Sequence, residues 1–254
     1  MASKNAPIAV FDSGVGGISV LRELVKLMPQ ENYLYFGDSA NAPYGDKTTA
    51  HVQQLTLHAA QMLLDRGAKA LVVACNTATA AAIDMLRQHY PNKILIGIEP
   101  ALKMGADRFP HGRIGVMATQ VTLREEKFLH QTERFPHNQV FPIPAPGLVQ
   151  LIEGGHSRQI DSFLEDLLRP YVGKLDALVL GCTHYPFVKE RIAKILGPNT
   201  VLLDGGEGTA RQTKRCLEAA GLLHDGPGTI QIENSLSSGH MIDLAWQLLE
   251  QGGL

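Results

Sequence analysis

Cysteine is scarce in this chain: three residues in 254, an odd number that argues against a disulfide framework and for a reducing compartment, the cytoplasm. Charge imbalance is missing too. The formal net charge is −2, with lysine and arginine scattered rather than gathered into a stripe, so there is no electrostatic case for a nucleic-acid or membrane partner. The longest apolar stretches, Ala68 to Cys75 and Ala177 to Leu180, are strand-sized and too short to span a bilayer. Met1 to Pro7 runs straight into a strand-like segment without the shape of a signal peptide. Short-period repeats and low-complexity tracts are absent, as are C-x-x-C and H-E-x-x-H pairs and any lysine motif for pyridoxal, so neither metal nor cofactor is expected. What remains is an ordinary globular composition, 44% hydrophobic and 19% charged, enough for one large α/β domain or two small ones.

Within that composition, two stretches are near copies. Ala70-Leu71-Val72-Val73-Ala74-Cys75-Asn76-Thr77 matches Ala177-Leu178-Val179-Leu180-Gly181-Cys182-Thr183-His184, and from residue 75 to residue 182 the offset is 107. Upstream, Ile8-Ala9-Val10-Phe11-Asp12-Ser13 matches Ile114-Gly115-Val116-Met117-Ala118-Thr119 at an offset of 106. Two matches at one spacing indicate a duplication. If the halves pack about a pseudo-twofold axis, the two thiols face each other across a shared cleft, as inversion of a carbon centre requires.

Short aliphatic runs alternate with amphipathic stretches, the pattern of parallel sheets covered by helices on both faces. Strands are predicted at Ile8 to Phe11, Tyr33 to Phe36, Ala70 to Ala74, Ile94 to Ile98, Ile114 to Met117, Gln139 to Ile143, Ala177 to Leu180 and Val201 to Leu203. Helical spacing marks Val20 to Leu27, Thr49 to Arg66, Ala78 to His89, Leu123 to Phe135, Ser157 to Tyr171, Phe187 to Leu196, Thr209 to Ala220 and Met241 to Glu250. Phe141-Pro142-Ile143-Pro144-Ala145-Pro146-Gly147 is too proline-rich for a central strand and reads as an extended loop. The expected architecture is two pseudo-symmetric, doubly wound α/β domains with the active site in the cleft between them: residues 1–98 with 208–254, and residues 99–207. Glu99-Pro100 and Asp204-Gly205-Gly206-Glu207-Gly208 bracket the second copy.

Asp12-Ser13-Gly14-Val15-Gly16-Gly17 follows a strand and opens a helix, the context in which backbone N–H groups bind an anion. A dinucleotide fingerprint would need a third glycine at residue 19, which is Ser19; Asp38, at the end of the next strand, keeps that alternative open. Cys75 ends a buried strand just before a helix, where the helix dipole favours a thiolate. Cys182 repeats the setting and adds His184, an imidazole able to exchange a proton with a thiol. Cys-x-His also occurs in zinc sites, but the third cysteine, Cys216, sits mid-helix. Pro43-Tyr44-Gly45 is a turn signature, and Glu153 stands just before two glycines at a helix end.

Taken in order, these motifs resemble the glutamate racemase family of the cofactor-independent aspartate/glutamate racemase superfamily. The resemblance runs over nearly the whole chain, from Asp12-Ser13-Gly14-x-Gly16-Gly17 through Pro43-Tyr44-Gly45, Cys75-Asn76-Thr77-Ala78 and Leu151-x-Glu153 to Gly181-Cys182-Thr183-His184-Tyr185-Pro186. It implies interconversion of L- and D-glutamate to supply D-glutamate for peptidoglycan, without metal or cofactor. Cys75 would act on D-glutamate and Cys182 on L-glutamate, with Asp12 assisting the first thiol and Glu153 and His184 the second. Ser13, Pro43, Tyr44, Gly45, Asn76, Thr77, Thr119 and Thr183 would hold the substrate. Glutamate is then the small-molecule partner, with a homodimer left open. One departure stands out: where relatives often carry T-x-x-S-x-x-Y, this chain has Thr122-Leu123-Arg124-Glu125-Glu126-Lys127-Phe128, so the helix behind Thr119 and Thr122 is expected to pack differently. The chain also begins without the N-terminal extension that some members use for activation by a cell-wall precursor. An aspartate-specific relative, or a two-domain binding protein without chemistry, is the alternative.

Overall fold

The computed structural model describes residues 3–98, 101–124, 126–236 and 239–251. In chain order the strands are β1 (Ile8–Asp12), β2 (Tyr33–Gly37), β3 (Ala70–Val73), β4 (Ile94–Gly97), β5 (Arg113–Ala118), β6 (Gln139–Pro144), β7 (Ala177–Leu180), β8 (Val201–Asp204) and β9 (Ile230–Asn234). They form two sheets, ordered β4-β3-β1-β2-β9 and β6-β5-β7-β8, and every pairing is parallel. Read from the other edge, the second sheet is β8-β7-β5-β6, the order of the first four strands over again.

The repetition extends to register. Ile8 pairs with Tyr33 and Ala70, and Ala70 with Ile94. In the second sheet Ile114 pairs with Val140 and Ala177, and Ala177 with Val201. All four equivalent positions lie 106 or 107 residues apart, the spacing of the two sequence matches.

Alternation along each strand divides the core. Ile8 and Val10 join a cluster that also takes Ile18, Leu21 and Leu24 of helix Ile18–Leu27, Met117, Leu178 and Leu180 of the second sheet, and Tyr185 just after it. The opposite faces have separate cores. Ala9, Phe11, Leu71 and Val73 pack with Ala60 and Leu63 of helix Thr49–Asp65, while Ile114, Val116, Ala177 and Val179 pack with Leu102 and Phe128. Period-two burial on both faces explains the continuously apolar strands.

Four features differ from the sequence reading. The proline-rich segment is strand up to Pro144, because β6 is an edge strand: the N–H groups of Gln139 and Ala145 point to β5, and alternation turns Pro142 and Pro144 toward the open edge, where no N–H is needed. β9 was missed because an edge strand reads Ile-Gln-Ile-Glu rather than continuously apolar. Helices Leu102–Arg108 and Leu148–Glu153 are too short to show a period. Helix also begins at Gln120, directly after Thr119, earlier than its apolar spacing indicated. The expected boundary at Glu99-Pro100 lies outside the described residues.

The C-terminal segment returns to the first sheet: β9 pairs with β2, and helices Gly206–Ala219 and Gly239–Gln251 pack on Ile18–Leu27. A buried ion pair fastens this return. Lys69 Nζ lies 2.5 Å from Glu31 and donates to the Leu222 carbonyl, while Glu31 accepts the His224 N–H. No helix among the described residues is long and apolar enough to cross a membrane.

Candidate active site

The C-terminal ends of β1, β3, β5 and β7 converge, the edge where open parallel sheets bind ligands. At the end of β1, Asp12 is fully buried; its Oδ1 accepts the Gly14 N–H at 2.9 Å, and its Oδ2 accepts the Thr183 hydroxyl at 2.9 Å. Burial raises the Asp12 pKa, and the charge of His184 and these two hydrogen bonds only partly offset it. The loop that follows has no room for side chains at two points. A Cβ at Gly14 would stand 2.5 Å from Glu153 Oε1, and one at Gly16 would overlap the His184 ring and the Thr183 hydroxyl. Glycine is needed here for close approach between the halves.

Cys75 stands two residues past the end of β3 as the N-cap of helix Asn76–His89, and its sulfur accepts the Ala78 N–H at 3.4 Å. The same Sγ lies 3.5 Å from Ser13 Oγ, so Ser13 is the side chain in contact with this thiol, whereas Asp12 reaches it only through its charge. Burial and that charge push the Cys75 pKa up to about 12, against the Ser13 and Ala78 hydrogen bonds; Cys182 adds to the rise, so the thiols are in electrostatic reach.

Cys182 occupies the same place after β7 in different company. Its sulfur lies 3.8 Å from His184 Nδ1, and His184 Nε2 is 2.8 Å from Glu153 Oε1, at the end of helix Leu148–Glu153. Burial works to lower the His184 pKa, but the hydrogen bonds and charges of Cys182 and Glu153 outweigh it and hold the ring well above its ordinary 6.5. Burial likewise works to raise the Glu153 pKa, and the hydrogen bond and charge of His184 with the Val15 N–H pull it below 4.5. At neutral pH the pair is therefore imidazolium and carboxylate. Tyr185, fully buried, is kept protonated by burial and by Cys182.

Other sequence-predicted residues gather around the thiols. Thr77 Oγ1 lies 3.0 Å from Thr119 Oγ1, and Thr122 Oγ1 is within 3.3 Å of the first and 3.0 Å of the second, a hydroxyl triad joining the two halves. A Cβ at Gly45 would stand 2.9 Å from Thr119, so the Pro43-Tyr44-Gly45 turn also touches the second half. The Tyr44 hydroxyl is committed to Asp38 Oδ2 at 2.7 Å. Asn76 Oδ1 is buried with no hydrogen-bond partner among the described residues. Sequence reasoning passed over Tyr35, whose hydroxyl donates to the Gly14 carbonyl at 2.8 Å beneath the glycine loop. The available signal was a pair of phenols at alternate positions, Tyr33 and Tyr35, in a strand whose neighbours are apolar, since a strand-borne hydroxyl needs a partner once buried. Among the described residues no three His, Cys, Asp or Glu side chains form a metal-ligating group.

Two sheets that share a four-strand order, each presenting a buried thiol at one shared edge, define the class. The chain belongs to the Asp/Glu/Hydantoin racemase family, whose model matches residues 10–213. Relatives 45–47% identical to it over nearly the full length are glutamate racemases. The glutamate racemase of Clostridium kluyveri is 47% identical, over 99% of this chain and 100% of the relative. Among solved structures, glutamate racemase isoform RacE1 from Bacillus anthracis superposes with a TM-score of 0.88 at 30% identity, covering 97% of this chain and 94% of its own. The glutamate racemase of Francisella tularensis in complex with D-glutamate gives a TM-score of 0.85 at 29% identity over the same shares.

Proposed function

We propose that this protein interconverts L- and D-glutamate without a cofactor, using Cys75 and Cys182 as two bases on opposite faces of the substrate's α-carbon. The observation that carries this reading is the placement of one buried thiol at each of two equivalent strand ends, in electrostatic reach of the other. One sulfur, as thiolate, removes the α-proton; the other, as thiol, donates a proton to the opposite face; at the end of turnover the two have exchanged protonation states. Either enantiomer enters by the same route run in opposite directions.

An α-proton is far less acidic than a thiol, so the site must stabilise the carbanion by hydrogen bonds to the α-carboxylate. The first N–H groups of helix Asn76–His89, beside the hydroxyls of Ser13, Thr77 and Thr119, suit that task, and Thr183, whose own hydroxyl donates to Asp12, borders them. The orphaned Asn76 oxygen suits a substrate ammonium group. His184, held protonated by Glu153, has a proton to exchange with Cys182, and Ser13 is the hydroxyl positioned to do the same for Cys75. Asp12 acts on the first thiol through its charge, which favours the protonated form that donates, and Pro43, Tyr44 and Gly45 close over the substrate.

In this reading the enzyme works in the cytoplasm, supplies D-glutamate for peptidoglycan, and folds as two domains, residues 1–98 with 208–254 and residues 99–207, in a homodimer whose mass light scattering would report. Neither nucleic acid nor membrane takes part. Circular dichroism of L-glutamate incubated with the purified protein tests the activity: the signal decays to zero, and D-glutamate decays to the same end point. A flat trace with glutamate overturns the reading, and faster decay with L-aspartate reassigns the substrate.

A further inference from the structure

We infer that Ser19 is a positioning residue for the second thiol: its hydroxyl, 2.8 Å from the Thr183 carbonyl oxygen, pins the Cys182-Thr183-His184 turn of one half to the glycine loop of the other. This rests on the reading of Cys182 as one of two racemising bases. Ser19 occupies the position where a dinucleotide fingerprint would require glycine, and its side chain has two carbonyls in reach, Thr183 at 2.8 Å and Gly16 at 2.9 Å. A hydroxyl has one hydrogen to give. The Gly16 carbonyl already accepts the Ser19 backbone N–H at 3.0 Å, whereas the Thr183 carbonyl lacks its natural local donor, because the residue three places on is Pro186 and has no N–H. The Ser19 proton therefore belongs to Thr183.

Thr183 is thus held at both ends by the first half. Its carbonyl accepts from Ser19 and its hydroxyl donates to Asp12, while Gly16 lies so close to the His184 ring that no side chain fits between them. Cys182 immediately precedes this doubly held residue. Its sulfur is accordingly set relative to Cys75 by the Ser19 and Asp12 contacts, and Ser19 acts on the chemistry only through that placement.

The test compares Ser19→Ala and Ser19→Thr with the wild type. Loss of one neutral hydrogen bond predicts about a tenfold fall in kcat/KM for Ser19→Ala, equal in both directions because L- and D-glutamate are equal in free energy, with Ser19→Thr restoring most of it. The discriminating readout is the α-deuterium isotope effect. It rises in Ser19→Ala only for the enantiomer whose deuteron passes to Cys182, because that transfer alone has become harder, and it does not rise for the other. Unchanged rates, or a fall in rate with both isotope effects altered alike and a lowered Tm, overturn the inference. Should Ser19→Ala fail to fold, Ser19→Gly removes the same hydroxyl and carries the same readout. An active wild type with an unaffected Ser19→Ala removes the inference alone; a wild type that leaves glutamate untouched removes the racemase reading and the inference with it.

Discussion

Cys75 and Cys182 stand at equivalent strand ends in surroundings that no longer match. Cys75 caps a regular helix of 14 residues and meets a serine hydroxyl, with burial pushing its pKa up to about 12. After Cys182 the chain makes a tight turn through Tyr185–Val188 before helix Lys189–Leu196 begins, and the displaced helix start leaves room for His184, backed by Glu153. The strands have kept their order and register while the loops after them have diverged. A symmetric scaffold therefore carries an asymmetric pair: one thiol held protonated by its surroundings, the other served by a charged imidazole.

Removing either sulfur is the strongest way to break the comparison. Cys75→Ala and Cys182→Ala should each lose at least about 1000-fold in racemisation of both enantiomers, within the range for a positioned acid or base, and polarimetry from each side checks it. Substantial two-way turnover in either variant ends the two-base reading. Next in size is Gly16→Ala. A methyl group there must displace His184 or Thr183, so we expect about a 100-fold loss of kcat with a stability cost of about 1–3 kcal/mol, measured by turnover and urea unfolding.

Glu153→Gln should erase much of the asymmetry. Without the carboxylate, burial pulls the His184 pKa down, so the ring is less protonated at neutral pH; NMR titration of the imidazole reports the fall, and kcat drops about 30-fold. The stability difference has a defined window. Glu153, lowered in the folded state, contributes above its ordinary 4.5 and loses that contribution as pH falls through its lowered value; His184, raised, contributes below 6.5 and loses it as pH rises through its raised value. Wild type should therefore exceed the variant by about 2 kcal/mol between those limits and converge with it outside them.

The gentlest probe is alkylation. With a pKa near 12, Cys75 should react with iodoacetamide about tenfold faster for each pH unit between 7 and 10, while half-buried Cys216 labels first, as peptide mass spectrometry would show. A pH-independent Cys75 rate contradicts the burial argument.

Much of this was legible without coordinates. Seven of the strands announced themselves as short apolar runs because parallel strands bury both faces, and the repeated Ile8 and Ile114, Ala70 and Ala177 segments carried the duplication into register. Two of the four edge strands were harder: β9 alternates with polar residues, and β6, predicted as strand only to Ile143, runs through prolines that only an open edge tolerates. The site was legible in its residue types and obscure in its partnerships. Nothing in the spacing of Glu153 and His184, 31 residues apart, says that their side chains meet.

What the sequence alone determined is the set of elements and the chemistry at their ends: two copies of one strand pattern, a thiol closing the third strand of each, and a glycine loop after the first. These follow from periodicity and local sterics, which act within a few residues. Only the tertiary structure decided which groups serve which thiol, with Ser13 against Cys75, Glu153 behind His184, and Thr183 gripped by Asp12 and Ser19. Those partnerships join residues up to 171 positions apart, and they depend on how two sheets close on one another, a matter of packing that no local pattern encodes.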